Sequence, residues 1–391
     1  MKYFLLIFFL LNAPFLTAQE KSVAQKDIKV GLVLSGGGAK GFAHVGVLKQ
    51  IEEAGVRVDY VAGTSMGAII GGLYASGYNA KELESVLHIY DLNGLVRDEL
   101  PRRVSSFYQK ENEGKYAISL PLVKRKIELP SAVSKGQNAF NIFSQLTEHV
   151  HEVDDFSELS IPFFCMATNL ETGEEVLLDK GFLPEAIRAS GSLPGLLTPV
   201  KINDMVLVDG GIVDNFPVEK MKEKGVDYII GVNVSGGLKD IENLNTLPEI
   251  LMQIAGFQMY NKWEDKIELS NLYIKPDLEE FSIFSFDESD EIISRGEMAA
   301  QKFKGQLELL AAQQKRSLQK RSIDTYSRLD EIMVKEILVK GNRNYTDKYC
   351  IKKLGLEKGE SISRKDFMRG IDVLTATGNF ESISYKMISV D

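Results

Sequence analysis

The stretch from residue 58 to residue 72 reads Val-Asp-Tyr-Val-Ala-Gly-Thr-Ser-Met-Gly-Ala-Ile-Ile-Gly-Gly and places a serine at position 65. An apolar run typical of a strand precedes Gly63, and small and apolar residues typical of a helix follow Gly67. A serine between two glycines at such a junction has the G-x-S-x-G pattern of a nucleophile elbow, in which a strained turn exposes the hydroxyl. Taken alone, the pattern is also compatible with an ordinary turn. The stretch predicts an α/β fold with Ser65 at the end of a strand.

A second glycine-rich stretch lies upstream, where residues 35–41 read Ser-Gly-Gly-Gly-Ala-Lys-Gly between a strand pattern and a helix pattern. Its glycines match G-x-G-x-x-G, which binds a dinucleotide pyrophosphate in some folds. A P-loop is excluded because the residue after Lys40 is glycine and not serine or threonine. A third interpretation is an oxyanion hole built from backbone N–H groups, and a tight turn without function is the fourth. Together with Ser65 downstream, the stretch favours the oxyanion hole.

Outward from these two stretches, residues 28–310 alternate short apolar runs with amphipathic helical patterns. This alternation is typical of an α/β fold with a mostly parallel central sheet. The predicted strands are residues 28–34, 58–62, 161–167, 205–208, 228–234 and 272–274. The clearest predicted helices are residues 43–54, 66–75, 138–149 and 291–310.

A serine hydroxyl needs a neighbouring base to become a nucleophile. No histidine follows His151, so a triad in the order Ser, Asp, His has few candidates for its last member. His149 and His151 lie in a polar helix end, which predicts that both are exposed at the surface. His44 follows the glycine-rich stretch and is predicted to be a packed or capping residue. The sequence therefore directs attention to a carboxylate as the base.

Asp209 ends the apolar run 206–208 and is followed by Gly210 and Gly211. The carboxyl ends of strands in open α/β sheets collect catalytic groups. Desolvation would raise the pKa of this carboxyl, and contact with the serine would let it act directly as a base. A turn aspartate before two glycines is the plain structural alternative. Ser65 and Asp209 together predict a catalytic dyad.

In this order, the glycine-rich loop, the G-T-S-M-G serine and the D-G-G aspartate resemble the patatin-like phospholipase family over residues 28–310. The stretch 186–194, Ala-Ile-Arg-Ala-Ser-Gly-Ser-Leu-Pro, resembles the element that shapes the site in that family. The resemblance implies a three-layer α/β/α sandwich with a mostly parallel central sheet. It also implies hydrolysis of lipid or phospholipid acyl esters without a metal or other cofactor.

The same resemblance implies roles for individual residues. Ser65 would be the nucleophile and Asp209 the general base. Backbone N–H groups of the three loop glycines, Gly36, Gly37 and Gly38, would stabilise the oxyanion. Lys40 stands where the family has a basic residue and would hold the loop or a substrate phosphate, whereas Gly211 replaces a more usual alanine. The positions that support the motifs are Lys40, Gly41, Gly63, Gly67, Pro194, Gly210 and Gly211.

The formal net charge is −9, which argues against nucleic acid as a partner and against broad attraction to an anionic membrane. Contact with a membrane surface is therefore expected to be local. The basic and apolar segment 97–126 would suit phospholipid headgroups, although a solvated surface flap is the plainer interpretation. The two cysteines, Cys165 and Cys350, are predicted to be packed thiols without a disulfide.

Residues 1–18 have the pattern of a signal peptide, with Lys2, an apolar run over residues 3–11 and a small-residue exit at Thr17-Ala18. The apolar run is shorter than the ~20 residues that a membrane-spanning helix requires. We therefore expect export to the periplasm, outer membrane or cell surface of a Gram-negative bacterium.

The C-terminal part of the chain has a separate pattern. Residues 311–331 are polar and charged and predict a linker, and residues 332–391 predict strands at 332–339 and 383–390 around helices at 347–354 and 364–375. Gly341-Asn342, Leu354-Gly355-Leu356 and the stretch 374–380 resemble a POTRA domain. That resemblance implies an outer-membrane β-barrel as partner, in cis or in trans. Because the last strand would keep an unpaired edge, the module is expected to be truncated.

Two functions of different classes follow from these patterns. The first is a serine lipid acyl hydrolase of the phospholipase A or lysophospholipase type, which works through an acyl-enzyme. The second is a non-catalytic envelope protein that binds lipid and recruits an outer-membrane assembly partner through residues 332–391. Covalent labelling of Ser65 by a fluorophosphonate distinguishes the two.

Overall fold

The computed structural model describes residues 26–98, 122–123, 126–127, 132–238, 240–244, 250, 253–254, 256–257, 263–315 and 331–390. The predicted signal peptide lies outside these residues. So do most of the segment 97–126 and residues 316–330 of the predicted linker. In the part that is described, no helix is both long enough and apolar enough to cross a membrane.

Fourteen strands occur in the described residues, and eight of them form the central sheet. In chain order the strands are β1 Val30–Leu34, β2 Tyr60–Thr64, β3 Leu122–Val123, β4 Lys126–Ile127, β5 Ala132–Ser134, β6 Phe163–Asn169, β7 Glu175–Leu178, β8 Gly195–Leu197, β9 Val200–Ile202, β10 Met205–Asp209, β11 Tyr228–Val232, β12 Leu272–Ile274, β13 Glu331–Met333 and β14 Ser361–Ser363.

The central sheet has the strand order β12-β11-β1-β2-β6-β10-β9, with β7 paired to β6. The strands from β12 to β6 pair in parallel. The remaining three strands are joined by antiparallel pairing: β10 and β7 each pair with β6, and β9 pairs with β10. The sheet is mixed but mostly parallel, which confirms the predicted α/β fold. All six predicted strands are present with similar bounds.

Twelve α-helices accompany the strands in the described residues. In chain order they are α1 Ala43–Glu53, α2 Met66–Ser76, α3 Ala80–Ile89, α4 Leu92–Arg97, α5 Gln137–Leu146, α6 Leu183–Ser190, α7 Val218–Glu223, α8 Trp263–Glu268, α9 Ser289–Gln301, α10 Lys304–Gln313, α11 Asp347–Leu354 and α12 Arg364–Ala376.

Helices cover both faces of the sheet because successive side chains of a strand point to opposite sides. Along β1, Leu32 and Leu34 join the large core cluster that contains α1, α2 and α9, whereas Val33 joins a smaller cluster with Met221 of α7. Along β6, Phe163 and Phe164 divide between the two clusters in the same way. The sheet therefore lies between two helical layers.

One predicted helix, residues 291–310, is two helices in the structure. A turn at residues 302–303 separates α9 from α10. Each part buries its own apolar pair, Ile292 and Ile293 in α9 and Leu307 and Leu310 in α10. A break in the helix axis lets both pairs reach the core.

The C-terminal region contains a two-stranded antiparallel sheet of β13 and β14 together with α11 and α12. The two helices lie where the sequence predicts them. The predicted strand at 332–339 is limited to β13, and the predicted strand at 383–390 is wrong, because those residues have no strand partner.

Residues 383–389 instead lie against the main domain and bond to its side chains. The Gln137 side chain accepts from the N–H of Ile383 (2.8 Å) and donates to its carbonyl oxygen (2.6 Å). The N–H of Met387 donates to Nδ1 of His151 over 3.1 Å. Side chains thus satisfy backbone groups that a neighbouring strand was expected to satisfy.

Candidate active site

Ser65 lies at the junction of β2 and α2, as the G-x-S-x-G pattern predicts. Its backbone has φ 53° and ψ −123°, which a residue with a side chain adopts only under strain. Its N–H donates to Oγ of Ser190 over 3.0 Å, and its carbonyl oxygen accepts from Ala68 at the start of α2. The turn is therefore tied down on both sides, and it presents Oγ beyond the edge of the sheet.

Gly63 and Gly67 are required by packing around this turn. A Cβ on Gly63 would lie 2.3 Å from the carbonyl oxygen of Gly67, and a Cβ on Gly67 would lie 2.3 Å from that of Leu34. Both obstacles are backbone atoms, which cannot rotate away. The two glycines let α2 start directly against β1 and β2.

Asp209 is the hydrogen-bond partner of the serine. Oγ of Ser65 donates to Oδ2 of Asp209 over 2.6 Å, and the N–H of Gly211 donates to Oδ1 over 2.7 Å. The aspartate is 1% exposed, and burial raises its pKa to about 6, against the lowering effect of the two hydrogen bonds. A carboxylate with this pKa is a better proton acceptor than an ordinary aspartate and is still ionised at neutral pH.

Strand β10, which carries Asp209, is antiparallel to β6. The carboxyl end of a parallel strand, which the sequence analysis gave as the reason for the position of Asp209, is therefore not the explanation. Groups at the carboxyl ends of parallel strands meet at one edge of a sheet, but β10 is antiparallel to β6. Asp209 reaches the serine through register: it pairs with Ala167, while Thr64 pairs with the adjacent Met166 on the other side of β6. The register of β2, β6 and β10 therefore determines the contact between Ser65 and Asp209.

The glycine-rich loop packs directly over the serine. A Cβ on Gly36 would lie 2.8 Å from Cβ of Ser65, and Gly38 has φ +57°, a conformation that favours glycine. The N–H of Gly36 donates to the Asn215 side chain (3.1 Å), so this group is already engaged. Gly37 and Gly38 line the cavity beside the serine. Of the three glycines expected to bind the oxyanion, Gly37 and Gly38 therefore remain the candidate N–H donors.

Asn215 is a site residue that the sequence analysis missed. Besides accepting from the N–H of Gly36, its side chain donates to the Gly36 carbonyl oxygen over 3.3 Å, and it lines the cavity with Ser65. Its neighbour Asp214 is buried and accepts from Nζ of Lys266 over 2.5 Å. The signal available in the sequence is this pair of polar residues directly before Phe216-Pro217, inside an otherwise apolar segment.

Two of the remaining motif positions act through close packing. A Cβ on Gly41 would lie 2.3 Å from Cγ of Met66, and a Cβ on Gly210 would lie 2.3 Å from the carbonyl oxygen of Met166. Gly211 contributes its N–H to Asp209, as described above. Pro194 lies in the turn between α6 and β8, where its neighbour Leu193 lines the cavity.

Lys40 is buried, with only 5% of its surface exposed. Its Nζ lies 3.6 Å from the point that a Cβ atom would occupy if Gly236 carried a side chain. Lys40 is not among the described residues that line the cavity with Ser65. This location fits the expected role of holding the loop, and it gives no support to contact with a substrate phosphate.

The histidines near the domain centre are packed residues. His44 is fully buried, its Nε2 lies 2.8 Å from the Ser35 carbonyl oxygen, and burial lowers its pKa to about 4. The predicted surface exposure of His149 and His151 is wrong, because His149 is half-buried and His151 is 2% exposed. Nε2 of each lies 2.9 Å from a backbone carbonyl oxygen. Within the described chain, these three histidines make no hydrogen bond to Ser65 or Asp209.

A cavity of about 170 Å³ opens beside Ser65 and Asp209. Three helices line it, each with residues at positions i, i+3, i+4 and i+7 and so with one face of the helix. These residues are Met66, Ile69, Ile70 and Leu73 of α2, Leu83, Val86, Leu87 and Tyr90 of α3 and its end, and Ala139, Ile142, Phe143 and Leu146 of α5. The cavity is therefore suited to an aliphatic chain whose reacting end lies at the serine.

Comparisons with known proteins agree with this geometry. Residues 32–221 match the model of a family described as patatin-like phospholipase. The chain is 31% identical over 293 residues to "Lysophospholipase NTE1" of Meyerozyma guilliermondii and 29% identical over 293 residues to that of Candida albicans. These matches cover 68% of the chain, which spans about a fifth of the length of either relative (18% and 19%).

Among solved structures, VipD from Legionella pneumophila aligns at 14% identity with a TM-score of 0.39, over 72% of this chain and 67% of that chain. The family match extends from β1 into α7 and includes the glycine-rich loop, Ser65 and Asp209. Residues 32–221 of this chain are a patatin-like phospholipase domain.

Proposed function

We propose that the protein hydrolyses lipid acyl esters through a dyad of Ser65 and Asp209. The observation that carries this proposal is the 2.6 Å hydrogen bond from the serine hydroxyl to a buried carboxylate whose pKa is raised to about 6. The strained serine backbone and the apolar cavity next to it support the same conclusion.

The reaction follows from these contacts. Oγ of Ser65 attacks the ester carbonyl while its proton passes to Oδ2 of Asp209. The N–H groups of Gly37 and Gly38 stabilise the oxyanion of the tetrahedral intermediate. Protonated Asp209 then gives the proton to the departing alcohol, which leaves an acyl-serine. A water molecule that transfers a proton to Asp209 attacks the acyl-serine, and the fatty acid departs as the proton returns to Oγ.

The substrate class that we propose is phospholipid or lysophospholipid. The curated relatives bear the name lysophospholipase, and the matched family is described as patatin-like phospholipase. One apolar cavity lined by three helices fits one acyl chain, which favours phospholipase A or lysophospholipase chemistry.

A fluorophosphonate probe together with ester hydrolysis tests the proposal. Wild type should react covalently with the probe and hydrolyse a lysophospholipid, and Ser65→Ala should lose both properties. Asp209→Asn should lower kcat by at least about a thousandfold, since proton transfer and serine activation are lost together. Ser157→Ala, at an exposed serine, is the matched control and should behave like wild type. A folded wild type that the probe does not label favours the non-catalytic lipid-binding alternative.

We further propose that the protein is exported to the envelope of a Gram-negative bacterium and works at a membrane surface. The pattern of residues 1–18 supports this localisation. A POTRA-like role for residues 332–391, with an outer-membrane barrel as partner in cis or in trans, is supported by the sequence motifs alone. Fractionation of cells into cytoplasm, periplasm and outer membrane tests the localisation, which recovery in the cytoplasm would contradict.

A further inference from the structure

Arg188 places a buried positive charge in the wall of the acyl cavity. The residue lies on α6, only 9% of its surface is exposed, and it lines the same cavity as Ser65 and Asp209. Apart from Asp209 and Tyr90, the other described residues that line this cavity carry no ionisable side chain. A guanidinium in such surroundings is costly unless an anion or several hydrogen-bond acceptors compensate it.

The described protein supplies little of that compensation. Nη2 of Arg188 donates to the Lys135 carbonyl oxygen over 2.7 Å, and the guanidinium lies 5.8 Å from the centre of the Phe140 ring. A guanidinium has five N–H donors, and among the described residues the Lys135 carbonyl is the one acceptor that it bonds to.

The nearest carboxylates do not form an ion pair with this guanidinium. The two oxygens of Asp98 accept from the N–H groups of Gln137 (3.2 Å) and Asn138 (2.7 Å) at the start of α5. Asp98 and the half-buried Glu185 interact with the Arg188 guanidinium only at longer range, and both raise its pKa. Burial lowers that pKa and has the larger effect. Among the described residues, no carboxylate oxygen lies within ion-pair distance of Arg188.

Helix α6 connects Arg188 to the reacting serine. Ser190, two residues further along α6, accepts the hydrogen bond from the N–H of Ser65, and Gly191 lines the cavity beside it. Arg188 therefore lines the same cavity as the serine that would attack the ester. Its planar fork matches two oxygens of a phosphate, and a charge-assisted pair of this kind is strongest away from water.

We propose that Arg188 binds the phosphate of the lipid headgroup and thereby makes phosphate-bearing acyl esters preferred over neutral ones. This inference rests on the proposed acyl-ester hydrolysis and names the substrate group that the site recognises. Arg188 contacts the substrate in this role and takes no part in proton transfer.

The test compares two esters with the same acyl chain, palmitoyl lysophosphatidylcholine and monopalmitoylglycerol. Arg188→Gln should lower the ratio of kcat/KM for the phosphate-bearing ester to that for the neutral ester by about ten- to a hundredfold, because charged hydrogen bonds to the phosphate are lost. Arg188→Lys should retain part of the preference, since the charge remains and the fork is lost.

Thr198→Val is the matched control. Its hydroxyl donates to the same Lys135 carbonyl oxygen (3.0 Å), but Thr198 is half-buried and is not among the described residues that line the cavity. The control removes a donor to that carbonyl and should keep the wild-type ratio. If Arg188→Gln lowers both kcat/KM values equally, or leaves both unchanged, Arg188 is a structural residue and the proposal is overturned.

A binding measurement separates this proposal from the proposed hydrolysis. Calorimetry with Ser65→Ala should show that palmitoyl lysophosphatidylcholine, below its micelle concentration, binds about tenfold or more weakly when Arg188→Gln is added, while monopalmitoylglycerol loses less. Equal losses for the two lipids overturn the role of Arg188. A wild type that binds the phosphate-bearing lipid through Arg188 but hydrolyses neither ester contradicts only the proposed hydrolysis.

Discussion

At the scale of a single residue, the surroundings of Asp209 make its carboxylate a stronger proton acceptor than that of an ordinary aspartate. Burial raises its pKa to about 6, whereas the Ser65 hydroxyl and the Gly211 N–H stabilise the charged form and limit the rise. Above pH 6 the carboxylate is mostly ionised and still has an appreciable affinity for the serine proton. In the proposed mechanism this carboxylate takes the place of a histidine.

The same burial predicts a conflict between stability and function at Asp209. Since its folded pKa is raised from 3.8 to about 6, the folded state holds the proton more tightly than the unfolded state, and the stability of wild type falls as pH rises from about 4 to 6. The Asp209→Asn variant has no carboxyl group at this position, so its stability does not fall with pH for this reason. We expect the variant to be more stable than wild type by about 1–3 kcal/mol at pH 7.5, with the gap closing near pH 4.

Urea unfolding at both pH values measures this gap. The exposed Asp204, replaced by Asn, is the control, and its unfolding free energy should differ from that of wild type by no more than about 0.5 kcal/mol at either pH. An Asp209→Asn variant that is less stable than wild type at pH 7.5 contradicts the prediction. The amide can donate to Oγ of Ser65 and accept from the N–H of Gly211, so the substitution leaves no buried group without a partner.

At the scale of elements, α2 extends from Ser65 along the wall of the cavity. It begins directly after Ser65 and lines the cavity from Met66 to Leu73. With a rise of 1.5 Å per residue, Leu73 lies about 10 Å further along the helix than Met66. Positions on this stripe therefore correspond to successive depths along a bound acyl chain.

Leu73→Phe should shorten the acyl chain that the enzyme accepts. Leu73 is 2% exposed, and the larger ring would fill the cavity beyond the middle of α2. We expect kcat/KM for a palmitoyl ester to fall by about tenfold or more relative to a butyryl ester. Hydrolysis of p-nitrophenyl esters of graded length measures the change. Leu73→Ala is the matched control and should keep the long-chain ester, whereas an equal loss for both lengths with Leu73→Phe would show general misfolding.

At the scale of the whole molecule, the C-terminal region is attached to the helix that forms one wall of the cavity. Helix α5 lines the cavity with Phe143 and Leu146, and its other face carries Phe140, whose ring meets that of Tyr385 at 6.5 Å. At the end of α5, Glu148 forms an ion pair with Arg364 of α12. The position of the C-terminal region and the shape of the cavity are thus linked through α5.

Breaking this ion pair should loosen the C-terminal region. The side chains of Glu148 and Arg364 are 15% and 17% exposed, so Glu148→Gln removes the negative charge that faces a mostly buried cation. We expect a loss of about 1–3 kcal/mol, partly recovered in Glu148→Gln/Arg364→Met. Hydrogen exchange of residues 331–390 and thermal unfolding measure the effect. The exposed pair Lys201–Asp204 is the control, and its loss through Asp204→Asn should change stability by no more than about 0.5 kcal/mol.

Much of the main domain could be predicted from sequence because its signals are local. Strand β2, the turn at Ser65 and α2 follow from glycine positions and apolar spacing within fifteen consecutive residues. The C-terminal helices α11 and α12 could be predicted for the same reason. The last strand could not, because a strand needs a partner, and residues 383–389 bond to α5 and the segment after it instead.

The sequence by itself therefore determined the class of fold and the position of Ser65 in the turn between β2 and α2, since each depends on neighbours along the chain. Only the tertiary structure decided that the register of antiparallel β10 brings Asp209 into hydrogen-bond contact with Ser65. It also decided that the N–H of Gly36 donates to the Asn215 side chain. The tertiary structure also decided that Arg188 is buried with no ion-pair partner among the described residues. The physical reason is common to all three: hydrogen bonding and desolvation depend on which distant segments pack together, and no local pattern records that packing.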